Sequence, residues 1–178
     1  MTEESGKGGD RLVALARQAI EAYVREGTVV RSAPPTDGDR LRAGTFVSLH
    51  LPDGSLRGCM GTTEPQRESV EEEVVANAIN AATRDPRFHP VGDQELADLD
   101  ISVDVLGPAE EVEGLEAMDP ARYGMVVRTL DGRQALLLPD LEGVDTAEQQ
   151  LRIVCRKGSI DPENDQYRMF RFEVERHH

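Results

Sequence analysis

Residues 45–61, TFVSLHLPDGSLRGCMG, alternate apolar and polar side chains on both sides of Pro52-Asp53-Gly54. Two runs of period two joined by a turn former demand a β-hairpin, and everything else in the chain has to be arranged around it. A loop of two or four residues predicts one register, with Leu51 opposite Leu56, His50 opposite Arg57 and Ser48 opposite Cys59. A three-residue loop with a bulge would shift it. Val47, Leu49, Leu51, Leu56 and Met60 then share one face, while Ser48, His50, Arg57 and Cys59 share the other. Two glycines within one strand need a reason, such as a bulge or a close approach by a ligand or backbone.

Helical spacing surrounds the hairpin. From Asp10, the expected N-cap, Leu12, Leu15, Ala16, Ala19, Ile20, Tyr23 and Val24 recur at helical spacing until Gly27. Residues 1–9 are polar and glycine-rich and read as a disordered tail, leaving residues 10–178 as a single domain. Residues 31–44 have no period and read as a long loop. Ser69 with Glu72 forms a capping-box pattern ahead of a second helix that Asp85-Pro86 stops, and Asp145 with Glu148 opens a third, with Gly158 as its C′ residue. Residues 99–106 alternate as a strand, residues 124–138 form a second hairpin around LDGR, and Phe170, Phe172 and Val174 mark a last strand. The expected class is α+β, an antiparallel sheet flanked by α-helices. Its expected core includes Leu12, Leu15, Ile20, Val47, Leu49, Met60, Val74, Ile79, Ile101, Val103 and Phe172, with Ser48 and Arg57 outside it.

Composition narrows the partners. With 178 residues and a formal charge of −14, the chain would repel phosphate backbones and anionic lipid. Nucleic acid and membranes are not expected partners. The excess of acid lies before residue 151, because Arg152, Arg156, Lys157, Arg168, Arg171 and Arg176 outnumber the five acidic side chains that follow. No long apolar run and no signal-peptide pattern occur, which predicts a cytoplasmic protein. Two cysteines far apart are expected as thiols there. No metal-ligand spacing, nucleotide-binding fingerprint or G-x-S-x-G motif is present, so neither metal nor cofactor is expected. His177 and His178, a native end or a purification-tag remnant, are set aside from any site.

Cys59 is the candidate nucleophile: Arg57 and the exposed N–H groups of neighbouring glycines would favour a thiolate and could stabilise an oxyanion. The alternative is a small packing residue. His50 is a diagonal neighbour of Cys59 that could serve as its base, or a surface histidine. Asp85-Pro86-Arg87-Phe88-His89-Pro90 is a stiff loop in which Phe88 would plug the core while Asp85 and Arg87 face a cleft. Cys155 belongs on an apolar helix face. Lys157 would bind an anion or complement its helix dipole.

These blocks, GTFVSLHLPDGSLRGCMGTTEP, AINAATRDPRFHPV, ELADLDISVDVL, ALLLPD and CRKGSI, resemble the AMMECR domain family from about Gly44 to the end, with the Leu12–Val24 helix also in place. The LRGC-x-GT segment is that family's signature. The resemblance implies a larger and a smaller subdomain with a cleft between them near the signature, and carries Arg57, Gly58, Cys59, Gly61, Thr62, Asp85, Arg87 and Lys157 over as site residues. Asp140 stands where a glutamine is expected, and Lys157-Gly158-Ser159-Ile160 where KAGL is usual, shifted by loss of the alanine. Bacterial relatives accompany Memo-like and radical S-adenosylmethionine (radical SAM) proteins, which implies a shared modification pathway. Two functions follow. One is an enzyme component that uses the Cys59 thiol, with Arg57 lowering its pKa, on a small-molecule or protein substrate. The other is a non-catalytic adaptor presenting the same cleft to a partner.

Overall fold

In a computed structural model of the chain, residues 5–32 and 42–178 are described, the first six of them as backbone only. Three α-helices, α1 (Ser5–Glu26), α2 (Val70–Thr83) and α3 (Ala147–Gly158), accompany eight strands. The strands are β1 (Thr45–His50), β2 (Leu56–Gly61), β3 (Asp100–Leu106), β4 (Glu110–Val112), β5 (Gly124–Thr129), β6 (Gln134–Leu137), β7 (Tyr167–Phe172) and β8 (Val174–His177). They form two four-stranded sheets, β2-β1-β3-β8 and β4-β7-β5-β6, where the sequence suggested one. The class is α+β. The chain divides into a larger unit, Met1–Leu106 with Glu175–His178, and a smaller one, Gly107–Val174.

In the larger unit α1 and α2 bury their apolar stripes against one face of the sheet. Leu12, Ala16 and Ile20 meet Val74, Ala78 and Ile79 over Val47, Leu49, Ile101 and Val103, with Leu15 and Met60 half-buried at the margin. Burial on this scale stabilises by roughly 1.5–3 kcal/mol per large side chain. In the smaller unit Met125, Val127, Leu137 and Val154 form a second core, and Phe172 is buried there too. Ser48 and Arg57 lie outside both cores.

The hairpin carries two irregularities that cancel. Its loop is the three-residue form: Leu51 N–H donates to Ser55 O, Gly54 N–H donates to Leu51 O, and Gly54 takes φ +82°. His50 therefore pairs with Leu56 instead of the expected Arg57. One residue further the register shifts back, Leu49 facing Gly58 and Ser48 facing Cys59, so that Arg57 is the extra residue of a β-bulge.

Other boundaries also move. Residues 5–9 of the expected tail are helical, despite the cost of about 1 kcal/mol that each of Gly8 and Gly9 carries inside a helix; residues 1–4 and most of the long loop, 33–41, lie outside the described residues. The third helix is capped one residue later than expected, by Thr146, whose side chain accepts from Gln149 N–H while Gln149 accepts from Thr146 N–H. Gly158 remains helical, where a Cβ would stand 2.9 Å from Ile160 and 3.0 Å from Ala135, and Ser159 takes the left-handed φ of +52°. Asp140, the other departure from the family pattern, is also left-handed, at φ +56°. The expected last strand is two: β7 ends at Phe172 in the second sheet, and β8 begins at Val174 in the first. His177, set aside above, is buried in β8.

Candidate functional site

β2 is an edge strand, and at Cys59 its outward backbone groups are met by side chains. The turn that stops α2 swings Asp85 inward, only 4% exposed, so that its carboxylate accepts from Cys59 N–H at 3.0 Å. The same carboxylate accepts from Arg87 N–H at 3.0 Å and from the Arg87 guanidinium at 3.0 and 2.7 Å. Arg87 in turn donates, at 3.4 Å, to Cys59 O. Acid and guanidinium together stand in for a missing neighbouring strand and blunt the edge. The guanidinium bonds, more than any other cause, hold the Asp85 carboxyl far below the usual carboxylate range.

The Cys59 thiol is half-buried and accepts from the Ser48 hydroxyl at 3.3 Å. Burial pushes its pKa up; Ser48 and Arg87 pull down and the Asp104 and Asp85 carboxylates push up, and the net direction is upward. One expectation is corrected here. Arg57 does not lower the thiol's pKa, because its guanidinium is committed bidentately to Glu95 at 2.8 and 3.1 Å. That pairing holds Glu95 below the usual carboxylate range. The Cys59 N–H itself is occupied by the Asp85 carboxylate. Among the described residues His50 makes no hydrogen bond to Cys59.

The glycines of the signature serve packing. A Cβ on Gly58 would stand 2.3 Å from Ala81 O, and one on Gly61 would stand 2.4 Å from both the Phe46 ring and Thr45 O. Gly58 lets α2 lie on the strand, and Gly61 admits the ring from β1. Thr62 is likewise tied into scaffold: its hydroxyl donates to Glu73 at 2.6 Å and accepts from Asn77 at 3.2 Å. The buried Glu73 carboxylate also accepts from Gln66 and Arg67 N–H at 2.8 Å each, fixing the segment after the signature. Lys157 belongs to the smaller unit, where its ammonium donates to Leu136 O at 2.8 Å.

What remains accessible is a pocket of about 400 Å³ lined by Arg57, Pro86, Arg87, Phe88 and His89. The Arg57 and Arg87 guanidinium carbons lie 6.0 and 5.5 Å from the centre of the Phe88 ring. The roles expected in the DPRF loop are exchanged: Asp85 is the buried member and Phe88 lines the pocket. Glu95, which orients Arg57, was missed; the signal for it was Gly92-Asp93-Gln94-Glu95, in which the Glu95 carboxylate accepts from Gly92 N–H at 2.8 Å and caps a 3-10 turn. Among the described residues no group of three or more His, Cys, Asp or Glu is placed to hold a metal ion. None of the described helices is long and apolar enough to cross a membrane.

The AMMECR1 family profile matches residues 13–177. A Thermotoga maritima protein is 47% identical over 167 residues, spanning 93% of this chain and 95% of its own length. Protein CA_C1420 of Clostridium acetobutylicum is 43% identical over 171 residues, 94% of this chain, but the match spans only 36% of that longer protein. Among solved structures, the uncharacterised protein PH0010 of Pyrococcus horikoshii superposes with a TM-score of 0.84 at 30% identity, over 98% of this chain and 93% of that one.

Proposed function

The chain belongs to the AMMECR1 family, and from that premise we propose that it is a non-catalytic binding module, docking a partner protein at the pocket of Arg57, Arg87, Phe88 and His89. The observation that carries this reading is the bracketing of a half-buried Phe88 by two guanidiniums, each already held by a carboxylate. Side chains fixed before binding lose little entropy when a partner arrives, and arginine and aromatic residues dominate the energetic centres of interfaces. The Clostridium relative, in which this chain matches about a third of the length, supports a module that works alongside other polypeptide. Memo-like and radical SAM proteins are the partners to test first, as members of a shared modification pathway.

The competing reading, an enzyme component that uses the Cys59 thiol, draws on the Ser48 hydroxyl and the Arg87 guanidinium, which both favour a thiolate. Against it stand the upward net shift of the thiol and the occupied Cys59 N–H, since a nucleophile needs a lowered pKa or an adjacent base. Titration calorimetry with purified Memo-like and radical SAM proteins separates the two. Phe88→Ala and Arg87→Ala should weaken binding at least tenfold while Cys59→Ala leaves it unchanged. Iodoacetamide should alkylate Cys59 more slowly than a free thiol at pH 8, its rate still climbing above pH 9. No binding by the wild type, or a rate inflection below pH 8 with loss of function in Cys59→Ser, would overturn the module.

A further inference from the structure

A second pocket, of about 500 Å³, opens on the larger unit away from the signature strand, between the end of α1, the segment that follows it, and α2. Its floor is apolar. Val75 and Ile79 of α2 are nearly buried there, Tyr23 of α1 forms a wall, and Val29, 59% exposed, stands at the mouth. Its rim is cationic, with Arg31, Arg67 and Arg84 contributed by three different segments.

The state of those three guanidiniums is the telling observation. Five other arginines of the larger unit are paired with carboxylates: Arg11 with Glu71, Arg25 with Asp93, Arg57 with Glu95, Arg87 with Asp85, Arg176 with Asp104. Among the described residues no carboxylate pairs with Arg31, Arg67 or Arg84. The Arg84 guanidinium donates to the neutral Asn80 side chain, at 3.2 Å. Glu72 also lines the pocket, but its carboxylate accepts from Glu68 N–H, at 3.2 Å, at the start of its own helix. The position of Arg67 is set by its backbone, whose N–H donates to Glu73 and whose carbonyl accepts from Arg42, each at 2.8 Å.

We propose that this pocket binds a small amphiphilic anion, a carboxylate carried on an apolar body of several carbons. Guanidiniums grip a carboxylate through paired, charge-assisted hydrogen bonds, and the valine, isoleucine and tyrosine surface removes the apolar body from water. A chain of formal charge −14 repels anions at long range, so an anion site on it requires a local excess of cations, and this rim supplies one, three guanidiniums against the single Glu72 carboxylate. The site is separate from the Phe88 pocket and stands or falls independently of it.

Octanoate is the probe, titrated into the full chain and followed by calorimetry and by the backbone amide resonances of Tyr23, Val75 and Ile79. Octanoate should bind and shift those resonances, while acetate, octanol and octylamine each bind at least tenfold more weakly. Arg31→Gln combined with Arg84→Gln should weaken octanoate at least tenfold. Both side chains are exposed, and an unchanged melting temperature will show the variant folded. A second variant, Val29→Asp, should also weaken octanoate while leaving the fold intact. Absence of octanoate binding, octanol binding as tightly as octanoate, or undiminished binding in the double variant would each overturn the proposal.

Discussion

At the scale of single residues, Asp85 outranks Cys59. A buried carboxylate that accepts from two backbone N–H groups and a guanidinium is satisfied only while it is charged. Asp85→Asn keeps the shape but sets an amide N–H₂ against the guanidinium. Its cost at neutral pH should be about 1.5–3 kcal/mol, toward the lower end because the Arg87 side chain is 57% exposed and can return to water. The pH dependence has a definite sign. The folded pKa of Asp85 lies below its unfolded value, so the stability it contributes is present above the unfolded pKa, near 3.9, and is lost as pH falls through the folded one. Urea unfolding of wild type and variant at pH 7 and pH 2.5 should show the gap narrowing in acid. A gap of equal size at both values would mean that the carboxylate's charge is not what holds the loop.

At the scale of elements, the contact between α2 and β2 is the tightest constraint the signature satisfies. Gly58→Ala would drive a methyl group into the Ala81 carbonyl, a backbone atom that cannot swing aside, so helix and strand must part. A loss of about 1–3 kcal/mol is expected, read as a lower melting temperature; a change within about 0.5 kcal/mol would show that the helix yields freely. The hairpin itself was legible because strict alternation around Pro-Asp-Gly leaves no other fold, and Ser48 did face Cys59. The pairing at the tip was not legible: a three-residue loop and a bulge each displace the register by one, and alternation does not reveal a displacement that is undone two residues later. Nor could local spacing join Arg57 to Glu95, a partner 38 positions away that only the packing of the 3-10 turn brings near. The glycines raised the right question, a close approach, and the approaching group is a helix carbonyl.

At the scale of the whole molecule, the chain leaves the larger unit after Leu106, builds the smaller one, and comes back for its last four residues. Alternation through Phe170, Phe172 and Val174 reads as one strand because sequence period is blind to a change of sheet, and so β8, which ends at His177, was missed. In the folded protein β8 lies beside β3, and the Arg176 guanidinium grips Asp104 bidentately at 2.8 and 3.1 Å, 72 residues apart in sequence. The Asp104 side chain is 4% exposed and that of Arg176 is 28% exposed. Removing one partner of a buried pair leaves a charge with nowhere to go, at a typical cost of about 3–5 kcal/mol, whereas exposed pairs are worth about 0–1 kcal/mol. Arg176→Ala should therefore destabilise far more than Arg168→Ala, whose partner Glu111 is 45% exposed. Asp104→Asn combined with Arg176→Ala should recover part of the loss, because the stranded carboxylate is then gone. Urea unfolding of the three variants decides it: equal effects of the two arginine substitutions, or no recovery in the double variant, would show that the returning strand closes the first sheet by backbone pairing alone.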